Sequence, residues 1–247
     1  ANSSIQSFSF VPIMIYLVVQ IVIFSCGFLI ALHLFKRTPA ESILLGFCGV
    51  FGNNALYVLP MSVLLYGQAN VLPVTSIVTL DAIFAFGLSM LALQIISLGK
   101  ASPVSIALGI AKLPMLQAIV VGLIVSLAGI AVPAPVNTFV RFSGAGAAPV
   151  ALYALGVVLS QTRFQPDRLV LTFTFVKLLL FPAMIWLGLE MFAAQDDGRN
   201  LFLLASAAPA GAMSFSLAML YHVRTDAIAQ IIILTSVLTL FTLALLA

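Results

Sequence analysis

Gly52-Asn53-Asn54-Ala55-Leu56-Tyr57-Val58-Leu59-Pro60 lies inside an apolar run, from about Ser42 to Tyr66, that is long enough to cross a bilayer. Two adjacent amides and a proline are costly there, because lipid offers no hydrogen-bond partner to a polar side chain or a freed backbone group. Such a stretch is tolerated only where it is buried in protein or lines a cavity. Counted from Ser42 at about 1.5 Å per residue, Asn53 and Asn54 fall about 15 Å deep, close to the bilayer midplane. A second run of this kind, Ser206-Ala207-Ala208-Pro209-Ala210-Gly211, interrupts another apolar segment far downstream. By the same rise Pro209 sits about 13 Å from that segment's start.

The rest of the chain explains why two such interruptions stand out. Of its 247 residues 63% are hydrophobic and 7% charged, and the mean hydropathy is +1.24. Soluble domains carry roughly a quarter charged residues, so this is an all-α integral membrane protein. Apolar segments of about twenty residues recur along it, the length a membrane helix needs, in place of the short alternating strands of a barrel. The net charge of +3 does not point to nucleic acid, because the basic residues are scattered singly through loops. Cys26 and Cys48 fall inside predicted helices without metal-ligand spacing and read as free, structural thiols. No basic segment precedes a short apolar one at the start, so no signal peptide is read; the chain also lacks an initiator Met, which reads as a missing start.

Eight spans are expected, at about 10–35, 42–66, 72–98, 113–133, 137–159, 169–191, 200–221 and 227–246. His33, Lys36 and Arg37 mark the surface after the first, with His33 read as an interfacial residue. The third carries Asp81, the one acid well inside a span. Residues 101–111, between Lys100 and Lys112, are too short to span and read as an interfacial connector. Pro114 opens the fourth span, where a missing N–H costs nothing, and Pro133 and Pro135 close it. Ser143 to Ala148 form a small-residue face suited to helix packing. The sixth span holds Lys177 and Pro182. The eighth carries Thr235, Ser236, Thr239 and Thr242 on one stripe, whose default role is packing between helices.

Loops after the odd-numbered spans hold Lys36, Arg37, Lys100, Lys112, Arg163, Arg168 and Arg224; the opposite loops hold Arg141 and Arg199, beside Asp196 and Asp197. Since Lys and Arg concentrate on the cytoplasmic side, both ends of the chain are expected outside the cytoplasm. The two interrupted spans, second and seventh, lie five apart. Repeats of an odd number of helices must have opposite orientations, as in many secondary transporters. The interrupted helix is fourth of the second repeat, so a matching first repeat predicts two further helices upstream of this chain.

An interrupted helix frees backbone that an intact one keeps for itself. Pro60 is expected to release the carbonyl of Leu56, and Pro209 that of Ala205. Half-helix ends add N–H groups with partial positive charge, which favour anions. Asn53 and Asn54 add donors and acceptors in equal number. If the interruptions cross, Asn53, Asn54, Pro60, Ser206, Pro209 and Gly211 form a substrate site. The alternative for the asparagines is a hydrogen bond that locks helix packing. Lys177, about 13 Å along its helix from Arg168, has three open roles: attracting a substrate carboxylate, pairing with Asp81, or snorkelling to the cytoplasm. Asp81, Thr235 and Thr239 are candidates for a coupling ion, Asp81 as a protonatable carboxyl. His222 and Arg224 read as cytoplasmic loop residues.

Four stretches together resemble the auxin efflux carrier family, in particular its bacterial malonate and malate permease-like branch: Asn53 to Pro60; Pro149-Val-Ala-Leu-Tyr-Ala-Leu-Gly156; Lys177-Leu-Leu-Leu-Phe-Pro182; and Ala208 to Gly211 with Ala218 to Tyr221 and Ile233 to Ser236. The resemblance covers most of the chain. It implies a ten-helix inverted repeat, crossed broken helices at the substrate site (Asn53, Pro60, Pro209), and a transport domain moving as an elevator against a scaffold. Residues 8–99 and 168–247 would be transport domain, 100–160 scaffold, and a homodimer would form through the scaffold. Val58 stands where the family often has glycine, which narrows the break.

The expected function is secondary active transport of small organic anions, mono- or dicarboxylates, across a bacterial inner membrane, with the C-terminus periplasmic. No cofactor or metal is expected; a proton or sodium would be the coupling ion, and the partners would be the anion and the bilayer. Two alternatives are a sodium-coupled carrier of larger amphipathic anions, as in the bile-acid relatives, and a channel or receptor. An enzyme is not expected, since no paired acids, His-Glu-x-x-His helix or Ser/His pair lies at depth.

Overall fold

The computed structural model describes residues 10–66, 71–98, 104, 114–160, 163–193 and 198–246. Among these residues every regular element is helical. Helix α1 (Phe10–Leu29) runs into a π turn (Ile30–Leu34) and stops where Lys36 adopts φ 52°, with the Arg37 N–H donating to Ala31 O at 3.0 Å. That left-handed residue terminates the helix by satisfying carbonyls that would otherwise be orphaned. Helix α2 (Pro39–Val50) starts immediately after, because Thr38 and Glu41 form a capping box and Pro39 occupies the first turn. The span expected from Ser42 therefore begins a turn earlier.

Three residues of non-helical chain separate α2 from a π turn (Asn54–Val58) that continues as α3 (Leu59–Tyr66). Helix α4 (Val71–Leu80), a π turn (Asp81–Phe86) and α5 (Gly87–Leu98) form one rod. Next come α6 (Pro114–Leu127) and α7 (Ala134–Ser160), the latter carrying Pro149 inside it. Asp167 caps α8 (Arg168–Phe175) through the Val170 N–H, and a π turn (Val176–Leu180) joins α8 to α9 (Phe181–Phe192). The second interrupted span is α10 (Arg199–Ser206) and α11 (Met213–Leu220), and α12 (Asp226–Leu246) closes the described chain. The stretches Phe10–Leu34, Val74–Ile96 and Arg168–Phe192 are long and apolar enough to cross a membrane, and with the shorter apolar helices they make a multi-pass membrane protein.

Helices α1 and α2 pack at backbone distance. A Cβ on Gly46 would lie 2.9 Å from Phe24 O, and one on Gly27 would lie 3.2 Å from the Gly46 Cα, the close approach that small residues permit between membrane helices. Gly188 on α9 receives Ile15 of α1 in the same way, its Cβ position 2.6 Å from Ile15 Cγ2. Around these contacts Tyr16, Phe47, Phe173, Phe181 and Ile185 are fully buried, with Tyr16 ringed by Phe181 at 5.8 Å and Phe202 at 5.9 Å. The core is built from α1 to α5 and α8 to α12. Among the described side chains of α6 and α7 Leu159 is the one buried apolar residue, and Phe139, Phe142 and Tyr153 of α7 are exposed.

One expectation changes. The first interruption falls at Phe51–Asn53, upstream of Pro60; Pro60 is the second residue of α3, exposed and within continuous helix. A preceding π turn re-spaces the hydrogen-bond ladder, so a proline is accommodated without a break. On the small-residue face of α7, Cβ atoms on Gly144 or Gly146 would find no neighbour within 4 Å among the described residues. Lys100, Lys112, the connector apart from Val104, Asp196 and Asp197 lie outside the described residues. Arg37 and Arg224 line one polar cavity of about 160 Å³ together with Glu41, Asp167 and Asp226, so loops predicted for one membrane face do come together.

Candidate functional site

The two interruptions cross and are hydrogen-bonded to each other. Helix α2 ends at Val50, Phe51 is extended (ψ 116°), and Asn53 (φ −77°, ψ 51°) leads into the next helix. Residues 207–212 are likewise non-helical. Gly52 and Ala210 face each other as an antiparallel bridge: the Asn53 N–H donates to Pro209 O and the Gly211 N–H to Phe51 O, both at 2.9 Å. This pairing gives backbone that has left its helix the partners that lipid cannot supply. A Cβ on Gly211 would lie 2.6 Å from Phe51 Cε1 and 3.2 Å from Gly52 O, so only glycine fits there. Thr235 of α12 anchors the crossing: its hydroxyl accepts from the Ala210 N–H at 3.1 Å and donates to Ile231 O at 2.7 Å.

The freed carbonyls are not left open. Ala205 O, expected to be released by Pro209, accepts from the Ala208 N–H at 3.3 Å. The last carbonyls of α2 and α10, Val50 O and Ser206 O, both accept from Lys177 Nζ, at 3.4 and 3.2 Å. Two helix C-termini thus bring their partial negative charges to one fully buried ammonium, which also lies 4.8 Å from the centre of the Phe181 ring. Of the roles open to Lys177, snorkelling is ruled out by this burial. No ion pair joins it to Asp81 among the described residues.

Asp81 faces neutral donors. It accepts from Tyr16 OH (3.1 and 3.4 Å to its two oxygens), Gln20 Nε2 (2.7 Å) and Asn54 Nδ2 (2.6 Å), and is 1% exposed. Tyr16 and Gln20 escaped the sequence reading. Their signal was present: Gln20 is the one amide in the first span, and Tyr16, four residues earlier, shares its helix face. Asn54, Asp81 and Lys177 each sit in a π turn, a distortion frequent at functional sites.

The remaining candidates separate. Asn53 occupies an N-cap position, where an asparagine ordinarily accepts from the helix it precedes, yet its side chain caps nothing and has no described partner although only 9% of the residue is exposed. Asn54 Oδ1 is buried and without a partner among the described residues. The Ser206 hydroxyl donates to Leu203 O at 2.7 Å, within its own helix. Pro209 is buried in the crossing, whereas Pro60 is exposed. Thr239 is buried one turn beyond Thr235. Cys48 and Cys26 are free thiols, and Cys48 Sγ lies 3.2 Å from Ser214 Oγ beside the crossing.

Residues 103–247, which include the second interruption, Lys177 and Thr235, match the family described as "Membrane transport protein". The chain belongs to that family, the auxin efflux carriers. This membrane transport protein is also 26% identical over 230 residues to a protein of Rhizobium meliloti (strain 1021) named "Putative malonate transporter", a match covering 90% of the present chain and 71% of the relative.

Proposed function

We propose that this transporter is a secondary active carrier of small organic anions, mono- or dicarboxylates such as malonate or malate, in a bacterial inner membrane. The observation that carries the reading is the Asn53 side-chain amide, held at the hydrogen-bonded crossing of two interrupted helices with no hydrogen-bond partner among the described residues. An amide in that position offers N–H donors to a carboxylate, and the half-helix N-termini add partial positive charge. The name of the Rhizobium meliloti relative points to the same substrate class. In this reading Asn53, Asn54, Pro209 and Gly211 shape the substrate site, Lys177 fixes the helix ends behind it, and Asp81 is the protonatable coupling group.

The interrupted spans would be equivalent parts of an inverted five-helix repeat. Their first halves support this: α2 and α10 start at opposite ends of the rod α8–α9, near Asp167 and Glu190, and end on the same lysine. The buried helices α1–α5 and α8–α12 would form a transport domain that slides as an elevator, and α6 with α7 would belong to a scaffold through which two copies pair. The basic cluster of Arg37 and Arg224 would face the cytoplasm, placing the C-terminus in the periplasm.

A carrier for larger amphipathic anions is the second reading. It is favoured by a mainly apolar cavity of about 200 Å³ beside the site, between Gln20, Phe24, Val50, Phe84 and Leu88. Uptake of labelled malonate into proteoliposomes with imposed proton or sodium gradients separates these readings. Saturable, gradient-driven uptake that short dicarboxylates inhibit is expected. Inhibition by bile-salt-like anions alone would favour the second reading, and flux without gradient or saturation would favour a channel.

A further inference from the structure

Asn54 is half satisfied. Its Nδ2 donates to Asp81 at 2.6 Å, while its Oδ1 is buried with no described partner. The amide lies edge-on against the crossing: the Cβ position of Gly52, the bridge residue, is 3.0 Å from Asn54 Oδ1, 3.2 Å from Asn54 Nδ2 and 3.2 Å from Ala205 O. A buried acceptor left unpaired costs roughly 1–3 kcal/mol, so this arrangement needs a reason. Every group that faces Asp81 donates to it. An ionised carboxylate accepts all four contacts, but a protonated one must itself donate to an acceptor. Asn54 Oδ1 becomes that acceptor when the amide turns over by about 180°, a movement that changes no volume because the two ends of an amide are nearly the same size.

We propose that protonation of Asp81 turns over the Asn54 amide, so that its NH₂ group leaves the carboxyl and faces the crossing as a donor to the substrate anion. With Asp81 ionised, the crossing presents an acceptor oxygen that repels carboxylates. With Asp81 protonated, the Asp81 O–H donates to Oδ1, and Nδ2 joins the free Asn53 amide in binding the anion. Proton and anion then bind together, which makes the carrier a proton symporter. This rests on the crossing being the anion site. The other titratable groups near Asp81 are Tyr16, whose hydroxyl donates to it, and Lys177, which acts through space and donates to Val50 O and Ser206 O. Cys48 lies beyond Lys177, against Ser214.

The test measures malonate affinity and proton exchange on the full-length transporter in detergent across a pH titration. In the unmodified protein malonate should bind more tightly as pH falls, by up to about tenfold per unit, with about one proton taken up per malonate. Asp81→Asn, whose own amide donates permanently to Asn54 Oδ1, should bind malonate with no such uptake and no pH dependence beyond that of malonate itself. Asn54→Ala leaves Asp81 free to titrate but removes the switch, so its weakened affinity should no longer follow pH. Proton uptake that survives in Asn54→Ala, or loss of malonate binding in a folded Asp81→Asn, overturns the turnover. If the unmodified protein binds no short carboxylate at any pH, the anion site itself fails, a result distinct from the other two. Thermal melting of each variant establishes that it is folded, and the infrared absorption of a protonated carboxyl, appearing on malonate binding in the unmodified protein alone, gives a readout that any folding defect leaves interpretable.

Discussion

The first interruption and the second share two backbone hydrogen bonds, yet they are built from different chemistry. The first, Phe51–Asn53 with Asn54, carries a ring, two amides and a link to a buried acid. The second, residues 207–212, consists of Ala, Pro and Gly and has no side-chain polar atom of its own. In the proposed reading function is divided between them: the second provides shape, letting the chain approach closely enough to pair, and the first would provide the groups that meet a ligand. Lys177 holds the helix end at both, but the second is otherwise tied down from outside, by Thr235, whereas the first is tied through its own Asn54 to Asp81.

Enlarging the small residues of the second interruption tests the division most severely. Gly211→Leu forces a side chain into the Phe51 ring and the Gly52 carbonyl, and a destabilisation on the order of 3 kcal/mol is expected from overpacking of this kind. The corresponding change in the first, Gly52→Ala, meets the movable Asn54 amide at 3.0 Å and should cost closer to about 1 kcal/mol. Melting temperatures in detergent measure both. Equal losses would mean that the two interruptions are alike in packing, and the comparison would lose its basis.

Next in size is Lys177→Met, which keeps most of the side-chain volume but leaves the C-termini of α2 and α10 facing each other without a cation. A loss of about 2 kcal/mol is expected. An unchanged melting temperature would show that Val50 O and Ser206 O are satisfied in another way. A smaller effect follows for Thr235→Val, which removes the acceptor of the Ala210 N–H at constant shape; about 1 kcal/mol is expected. Because that bond holds the second interruption alone, Thr235→Val should leave the pH dependence of malonate binding intact. Abolition of that dependence would couple the two interruptions more tightly than their chemistry suggests.

The division was only partly visible in the sequence. Both interruptions were legible, since amides, proline and glycine are conspicuous in an apolar run, and the helix limits followed roughly from run length, though the start of α2 was placed a turn late because the Thr38-Glu41 cap was not read. The position of the first break was not. Pro60 looked like the breaker because a proline lacks an N–H, but the π turn before it absorbs that loss, and π turns leave no clear mark in a sequence. The partners of Asp81 were hidden for another reason: Tyr16 and Gln20 lie more than sixty residues away along the chain, and no periodicity within one helix predicts a contact between two. Lys177 was conspicuous by its charge, whereas its partners are backbone carbonyls, which carry no residue identity to read.

The smallest expected effect on stability is the most informative about function. Asn53→Ala removes a side chain that caps no helix and makes no hydrogen bond among the described residues, so its loss breaks no polar contact and the melting temperature should correspond to a change of about 1 kcal/mol or less. A residue retained for a helix-to-helix hydrogen bond would cost two or three times as much, because its loss would leave an unpaired buried group behind. If the Asn53 amide instead waits for a carboxylate, its removal leaves the unliganded protein nearly unchanged and reduces gradient-driven malonate uptake to background. Those two outcomes in the same variant separate a binding group from a structural one. A large loss of stability with transport preserved would move Asn53 to the structural side, make both interruptions providers of shape, and leave Asn54 as the only amide able to meet the substrate.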